Sequence, residues 1–132
     1  MLILSFLILC GFTPGTVDYY VAYAQTQVAT GKIADAFATL AKAIDLDPRA
    51  PSPYASRAFL YLKLGKRDEA LADFSTVIAL SPKAPDGYVS RAFVYLDVGE
   101  HEKAVADFDM ACRLGDASGC AFLSETSGQK GP

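Results

Sequence analysis

The side chains able to do covalent or proton chemistry are few and scattered. His101 is the single histidine among 132 residues. It falls at the exposed start of an expected helix, with no cysteine or serine placed to form a nucleophile–base pair with it. No glycine-rich loop offers a phosphate cradle. No group of His, Cys and Asp/Glu has metal-ligand spacing. The charged run KRDEALAD at 66–73 reads as a solvated helix start. The remaining candidates are Cys10, Cys112 and Cys120, whose state depends on the compartment. No catalytic residue, metal or cofactor is expected, and the chain does not read as an enzyme. The 15 acidic residues outnumber the 12 basic ones, so no basic surface argues for nucleic acid.

The elements that hold these residues are written in a repeat. YASRAFLYLKLG at 54–65 returns as YVSRAFVYLDVG at 88–99, a period of 34 residues. Stepping back by the same amount gives three units, 16–49, 50–83 and 84–117. Tyr20, Tyr54 and Tyr88 share a column, as do Ala24, Ala58 and Ala92, Gly31, Gly65 and Gly99, and Ala36, Ala70 and Ala104. Tyr54, Ala58 and Tyr61 lie on one helix face, and Ala70, Phe74 and Val77 on one face of a second. Gly65 separates the two runs, where a turn needs positive φ. Pro51 and Pro85 suit a first helical position, and Pro48 and Pro82 stop the preceding helix. Each unit is therefore a helical hairpin. The expected pairs are 17–30 with 33–46, 51–64 with 67–80, and 85–98 with 101–114, followed by a short helix near 117–124.

These columns resemble the tetratricopeptide repeat (TPR). In the second unit Tyr54, Ala58, Tyr61, Ala70, Phe74 and Pro82 stand at the family's positions, and in the third Tyr88, Ala92, Tyr95, Ala104 and Phe108 do so. The first unit is looser. The resemblance implies an all-α fold, a right-handed α-solenoid of three TPR helix hairpins with a short C-terminal capping helix.

Two columns covary within the chain. Arg57 and Arg91 lie on first helices, Asp73 and Asp107 sixteen residues later on second helices, and the first unit replaces both, with Tyr23 and Thr39. An ion pair is expected between Arg57 and Asp73 and between Arg91 and Asp107, since a half-buried guanidinium wants a carboxylate. The alternative is an anionic ligand on the arginines. The stretch ACRLGDASGCAFL at 111–123 resembles the end of Sel1-like repeats. In their cysteine-rich members two cysteines with seven residues between them bond across the turn, so the resemblance implies a disulfide between Cys112 and Cys120. Otherwise both are reduced small core residues.

MLILSFLILC has nine apolar residues in ten, too short to span a bilayer but suited to the core of a signal peptide or anchor. LILC, ending at Cys10, resembles a lipoprotein signal and would place a lipid on Cys10. An unprocessed helix packing on the repeats is the other reading. The domain organisation expected is an N-terminal segment at 1–15, the repeats and cap at 16–124, and a flexible tail at 125–132. The location expected is exported, periplasmic or membrane-associated, with cytoplasmic as the alternative.

Function must then come from a surface. Stacked hairpins present their first helices along a groove. Its expected residues are Val21, Gln25 and Val28, then Ser56, Phe59, Leu62 and Lys63, then Ser90, Phe93, Leu96 and Asp97. The content is apolar, with Lys63 the one base, which argues against a carboxylate clamp and for an apolar peptide or helix of a protein partner. A structural subunit, packing through its repeats and apolar N-terminus into a larger membrane-associated or extracellular assembly, is the alternative.

Overall fold

A computed structural model describes residues 2–128. Among them are eight α-helices and no strand: α1 (Leu2–Leu9), α2 (Val17–Ala29), α3 (Ile33–Leu46), α4 (Pro51–Lys63), α5 (Arg67–Leu80), α6 (Pro85–Asp97), α7 (His101–Arg113) and α8 (Ala117–Gly128). From α2 to α7 each boundary lies within one residue of that expected from the glycine and proline punctuation. Pro51 and Pro85 open α4 and α6, where their missing N–H is no loss. The Thr16 hydroxyl accepts from the Tyr19 N–H and caps α2.

The chain divides at Lys66–Arg67 into two compact units. In the first, α2 and α3 form a close hairpin, and α4 packs on both. Its core is Ala24, Ala36, Leu40 and Leu60, with Val21, Val28, Ile33 and Phe37 against it. The alanines let the helix backbones approach, and the larger side chains fill the space beside them. Leu7 of α1 is buried, while Phe6, Ile8 and Leu9 are exposed. No described helix is long and apolar enough to cross a membrane.

In the second unit α6 packs on α5 and α7, and α7 on α8. Its core is Ala92, Ala104 and Phe108, with Val89, Tyr95, Leu96, Phe122 and Leu123 against it. The fully enclosed Phe108 ring is worth about 2–3 kcal/mol in removed apolar surface. The turn between α6 and α7 has Gly99 at φ 81°, with the Gly99 N–H donating to Leu96 O and the Glu100 N–H to Tyr95 O. The turn between α7 and α8 repeats it at Gly115, φ 95°, with bonds from Gly115 to Cys112 O and from Asp116 to Ala111 O. Both close the helix end with left-handed backbone that a side chain would strain. The cap is therefore joined by the turn used inside a repeat, not by the longer proline-bearing linker that precedes α4 and α6.

The last helix runs on to Gly128, beyond its expected end at 124, so residues 125–128 are helical where a tail was expected. The hydroxyls of Ser124, Thr126 and Ser127 donate to carbonyls one turn back, at Ala121, Phe122 and Leu123. Such back-bonding satisfies the hydroxyls within the helix without strengthening it. The rest of the expected tail, 129–132, lies outside the described residues.

Candidate functional site: an apolar groove on the first-helix face

Within the first unit α2, α3 and α4 enclose an open cavity of about 320 Å³. Ala24, Gln25 and Val28 come from α2, Leu40 from α3, and Ser56, Phe59, Leu60 and Lys63 from α4. Helical spacing explains the α4 contribution: Ser56, Phe59, Leu60 and Lys63 follow i, i+3, i+4, i+7 along one stripe. Phe59 is 56% exposed while the next residue, Leu60, is 3% exposed, as their different directions around the helix allow. Ala24, Leu40 and Leu60 of the lining belong to the core, and Phe59 and Lys63 complete it from α4. The cavity holds no group arranged for bond-breaking chemistry, and no described cluster of His, Cys, Asp or Glu could hold a metal ion.

The expected groove residues divide. Gln25, Val28, Ser56, Phe59 and Lys63 line the cavity. Val21 turns against the core of the first unit instead, and Leu62 is half-buried outside the lining. In the second unit Leu96 packs on the core with Val89, and Ser90 is half-buried. Phe93 is 56% exposed and meets Phe108 edge to face, centroids 5.2 Å apart. The Asp97 carboxylate accepts from the guanidinium of Arg67, so this position of the face is occupied by an internal ion pair. Ala24, Leu40 and Leu60 are the cavity residues outside the expected groove, Ala24 having been assigned to the core columns. Leu60 has Thr26 and Val94 in its column, a pattern that marked no opening.

Arg91 is spent on structure. Its Nε and Nη2 donate to the two oxygens of Asp107, each at 2.8 Å, and its Nη1 donates to Ser75 Oγ at 3.0 Å. One guanidinium thus joins α6 to both α5 and α7. The hydrogen bonds to Asp107 raise the Arg91 pKa further, against the opposing effect of burial. This leaves no free fork for an anionic ligand at Arg91. Arg57 stands over the rings of Tyr54 and Tyr61, 5.7 and 6.0 Å from their centroids. Asp73 is buried. The Tyr54 and Tyr88 hydroxyls donate to the carbonyls of Pro48 and Pro82, each at 3.1 Å, fastening the linker that precedes each first helix.

At the far end Cys112 and Cys120 form a disulfide, with Cα atoms 4.7 Å apart. Cys10 is free and exposed. His101 is exposed at the start of α7.

Hairpins of this length, turn and alanine register define a helical-repeat interaction fold. Two tetratricopeptide repeat family models match, one over residues 17–49 and one over 57–118. The chain is built of tetratricopeptide repeats. No curated protein matches it in sequence. Among solved structures, it is similar to the first TPR domain of Spaghetti (RPAP3) bound to the HSP90 peptide SRMEEVD, with 21% identity and a TM-score of 0.73 over 87% of this chain and 93% of that one. MamA matches with 21% identity and a TM-score of 0.70, over 83% of this chain and 62% of its own. A TPR protein of Thermus thermophilus matches with 24% identity and a TM-score of 0.65, over 83% of this chain and 59% of that one. At these identities the likeness is one of fold.

Proposed function

We propose that the protein is a non-enzymatic interaction scaffold that takes an apolar peptide or helix of a partner protein in the groove between α2 and α4. The apolar cavity lined by the exposed Phe59 ring carries this reading. An open cavity of about 320 Å³ has room for a few apolar side chains, and only Lys63 in its lining bears a charge. A buried aromatic or aliphatic anchor surrounded by weakly contributing contacts is the usual energetic form of such docking. A peptide-bound TPR domain among the structural neighbours supports a protein partner.

We propose further that the protein is exported or membrane-associated. A short apolar segment ahead of the repeats supports an exported or membrane-associated protein, held through residues 1–15 or through a lipid on Cys10. The Sel1-like end at 111–123 and a disulfide at Cys112–Cys120 fit an oxidising compartment. The exposed Phe6, Ile8 and Leu9 of α1 favour one alternative, a structural subunit that packs through its N-terminus into a larger assembly.

The test places a photo-crosslinking residue at Ser56, on the groove wall, in the full chain within its native host. Crosslinks to an apolar segment of another protein, lost in a Phe59→Asp background with an unchanged melting temperature, are expected. Crosslinks that survive Phe59→Asp, or that map to charged segments, overturn the groove reading. Crosslinks to α1 of a second copy establish the assembly alternative.

A further inference from the structure

The last helix has the fewest buried residues of the described helices of the second unit, and its joint to α7 is the one closed by sulfur. Of its residues only Gly119 is buried. Phe122 and Leu123 are half-buried against the core, and the remaining residues of 117–128 are mostly small, polar and exposed. Gly119, Ser118, Ser124, Thr126 and Ser127 are poor helix formers. Twelve such residues do not hold a helix alone in water. The helix therefore persists only while it lies on α7. Phe122 and Gly119, besides Leu123, hold it there without covalent help. Phe122 stacks on Phe108 with centroids 4.1 Å apart. Gly119 meets the α7 backbone so closely that an added Cβ would stand 2.7 Å from Phe108 O and 3.0 Å from the Cys112 N.

We propose that the Cys112–Cys120 disulfide is a redox latch: two-electron reduction by a dithiol frees α8 from α7 while the α6–α7 hairpin stays folded. The inference stands on the second unit alone and does not depend on the groove. Cys120 is exposed and Cys112 half-buried, so the Cys120 sulfur is the one an incoming thiolate can reach. The thiolate attacks Cys120, the S–S bond breaks, and Cys112 leaves as a thiolate that takes a proton from water. The second thiol of the reductant then attacks its own mixed disulfide and expels Cys120. The dithiol ends as a disulfide, and both protein sulfurs end as thiols. Opening a cross-link with a sequence separation of 8 removes a restraint that shifts the closed–open balance by up to roughly 80-fold, the chain-entropy value for a fully unfolded loop. The α6–α7 hairpin does not share this dependence, because the Arg91–Asp107 fork and the enclosed Ala92, Ala104 and Phe108 close it independently. Release of α8 strips Phe108 of the ring on one side. Phe93, an exposed ring of the first-helix face, remains on another side.

The experiment is hydrogen exchange by mass spectrometry on the full chain, before and after dithiothreitol under native conditions, with intact mass to count the thiols. Exchange across 117–128 should accelerate at least tenfold on reduction, while 85–113 keeps its protection, and reoxidation should restore the first pattern. A Cys112→Ser, Cys120→Ser double variant should exchange like the reduced chain and ignore dithiothreitol. Gly119→Ala, with the bond intact, should loosen 117–128 by steric pressure alone. Unchanged exchange after proven reduction overturns the proposal. So does loss of protection at 85–113 together with 117–128, which would make the bond a staple of the whole unit. A bond that dithiothreitol opens only above the melting temperature also overturns it.

Discussion

Tyr23 and Thr39 of the α2–α3 hairpin occupy the positions that Arg91 and Asp107 hold in α6–α7. One hairpin has no ion pair there: Tyr23 stacks on Tyr19 within α2 at 6.2 Å, and Thr39 of α3 is buried, 7% exposed. The other is closed by a bidentate ion pair with a carboxylate 5% exposed. The neighbouring column differs too. Gln27 stands where α6 has Tyr95, and its Oε1 is buried with no hydrogen-bond partner among the described residues. Tyr95 instead packs on the core, beneath Arg91 at 5.7 Å and Lys103 at 5.6 Å. The difference teaches that the repeat prescribes pairs, not residues. Arg and Asp are present together or absent together, because either alone would leave a buried charge. The first hairpin avoids that hazard and retains a lesser one, an amide oxygen without a donor.

The largest expected effect comes from splitting the pair. Arg91→Leu leaves the Asp107 carboxylate with neither of its guanidinium bonds. It should cost about 2–4 kcal/mol, toward the lower figure because the guanidinium is partly exposed. Adding Asp107→Val should recover most of that loss. Thr39→Val in the first hairpin should change stability by less than about 1 kcal/mol. Denaturant midpoints at constant m-value check all three. Strict additivity of the Arg91 and Asp107 losses would refute the pairing rule.

A smaller effect of opposite sign is expected at Gln27. Gln27→Met removes an unpartnered oxygen and keeps the length of the side chain, so the chain should gain about 1 kcal/mol. A loss instead would show that the amide has a bound water, and the contrast with Tyr95 would narrow to one of shape.

The helices themselves were legible in the sequence because many boundaries carry either Pro51 or Pro85, whose rings fix φ at a first turn, or a glycine such as Gly31, Gly99 or Gly115, which takes a left-handed φ after a last turn without strain. The groove was legible only in part. A first helix packs on its hairpin partner and on a neighbouring helix, so its apolar stripe is wide. Periodicity shows that Val21, Val28, Phe59 and Leu96 are apolar, but it cannot say which side of the stripe is left open. Val21 and Leu96 pack on the cores, whereas Phe59 is left outside and Leu60, not counted as groove, lines the cavity. Ser75 as a third partner of Arg91 had no signal at all, since its column holds Ala41 and Asp109. The end of α8 was missed because serine and threonine suggest a frayed tail.

The smallest expected effect is local and sharpens the comparison at the turns. Glu100 precedes α7 without a side-chain capping bond, whereas Asp116, at the same place before α8, accepts from the Ser118 hydroxyl and from the Gly119 N–H at 2.8 Å. Those bonds, the Ser118 hydroxyl foremost, lower the Asp116 pKa below the ordinary carboxylate value. A carboxylate with a depressed folded pKa stabilises α8 at pH above its unfolded value. That contribution is lost as pH falls through the folded value, when the acceptor becomes protonated. The Gly119 amide proton should therefore shift with an apparent pKa below that of a free aspartate. The corresponding amide at Lys103 should show no such titration. Asp116→Asn keeps an acceptor and abolishes the titration, and Asp116→Ala abolishes the cap at every pH. Because the group is exposed, the global melting temperature should barely move in either variant. A Gly119 amide that titrates with an ordinary aspartate midpoint would mean that the cap is absent in solution, and that both turns end their helices alike.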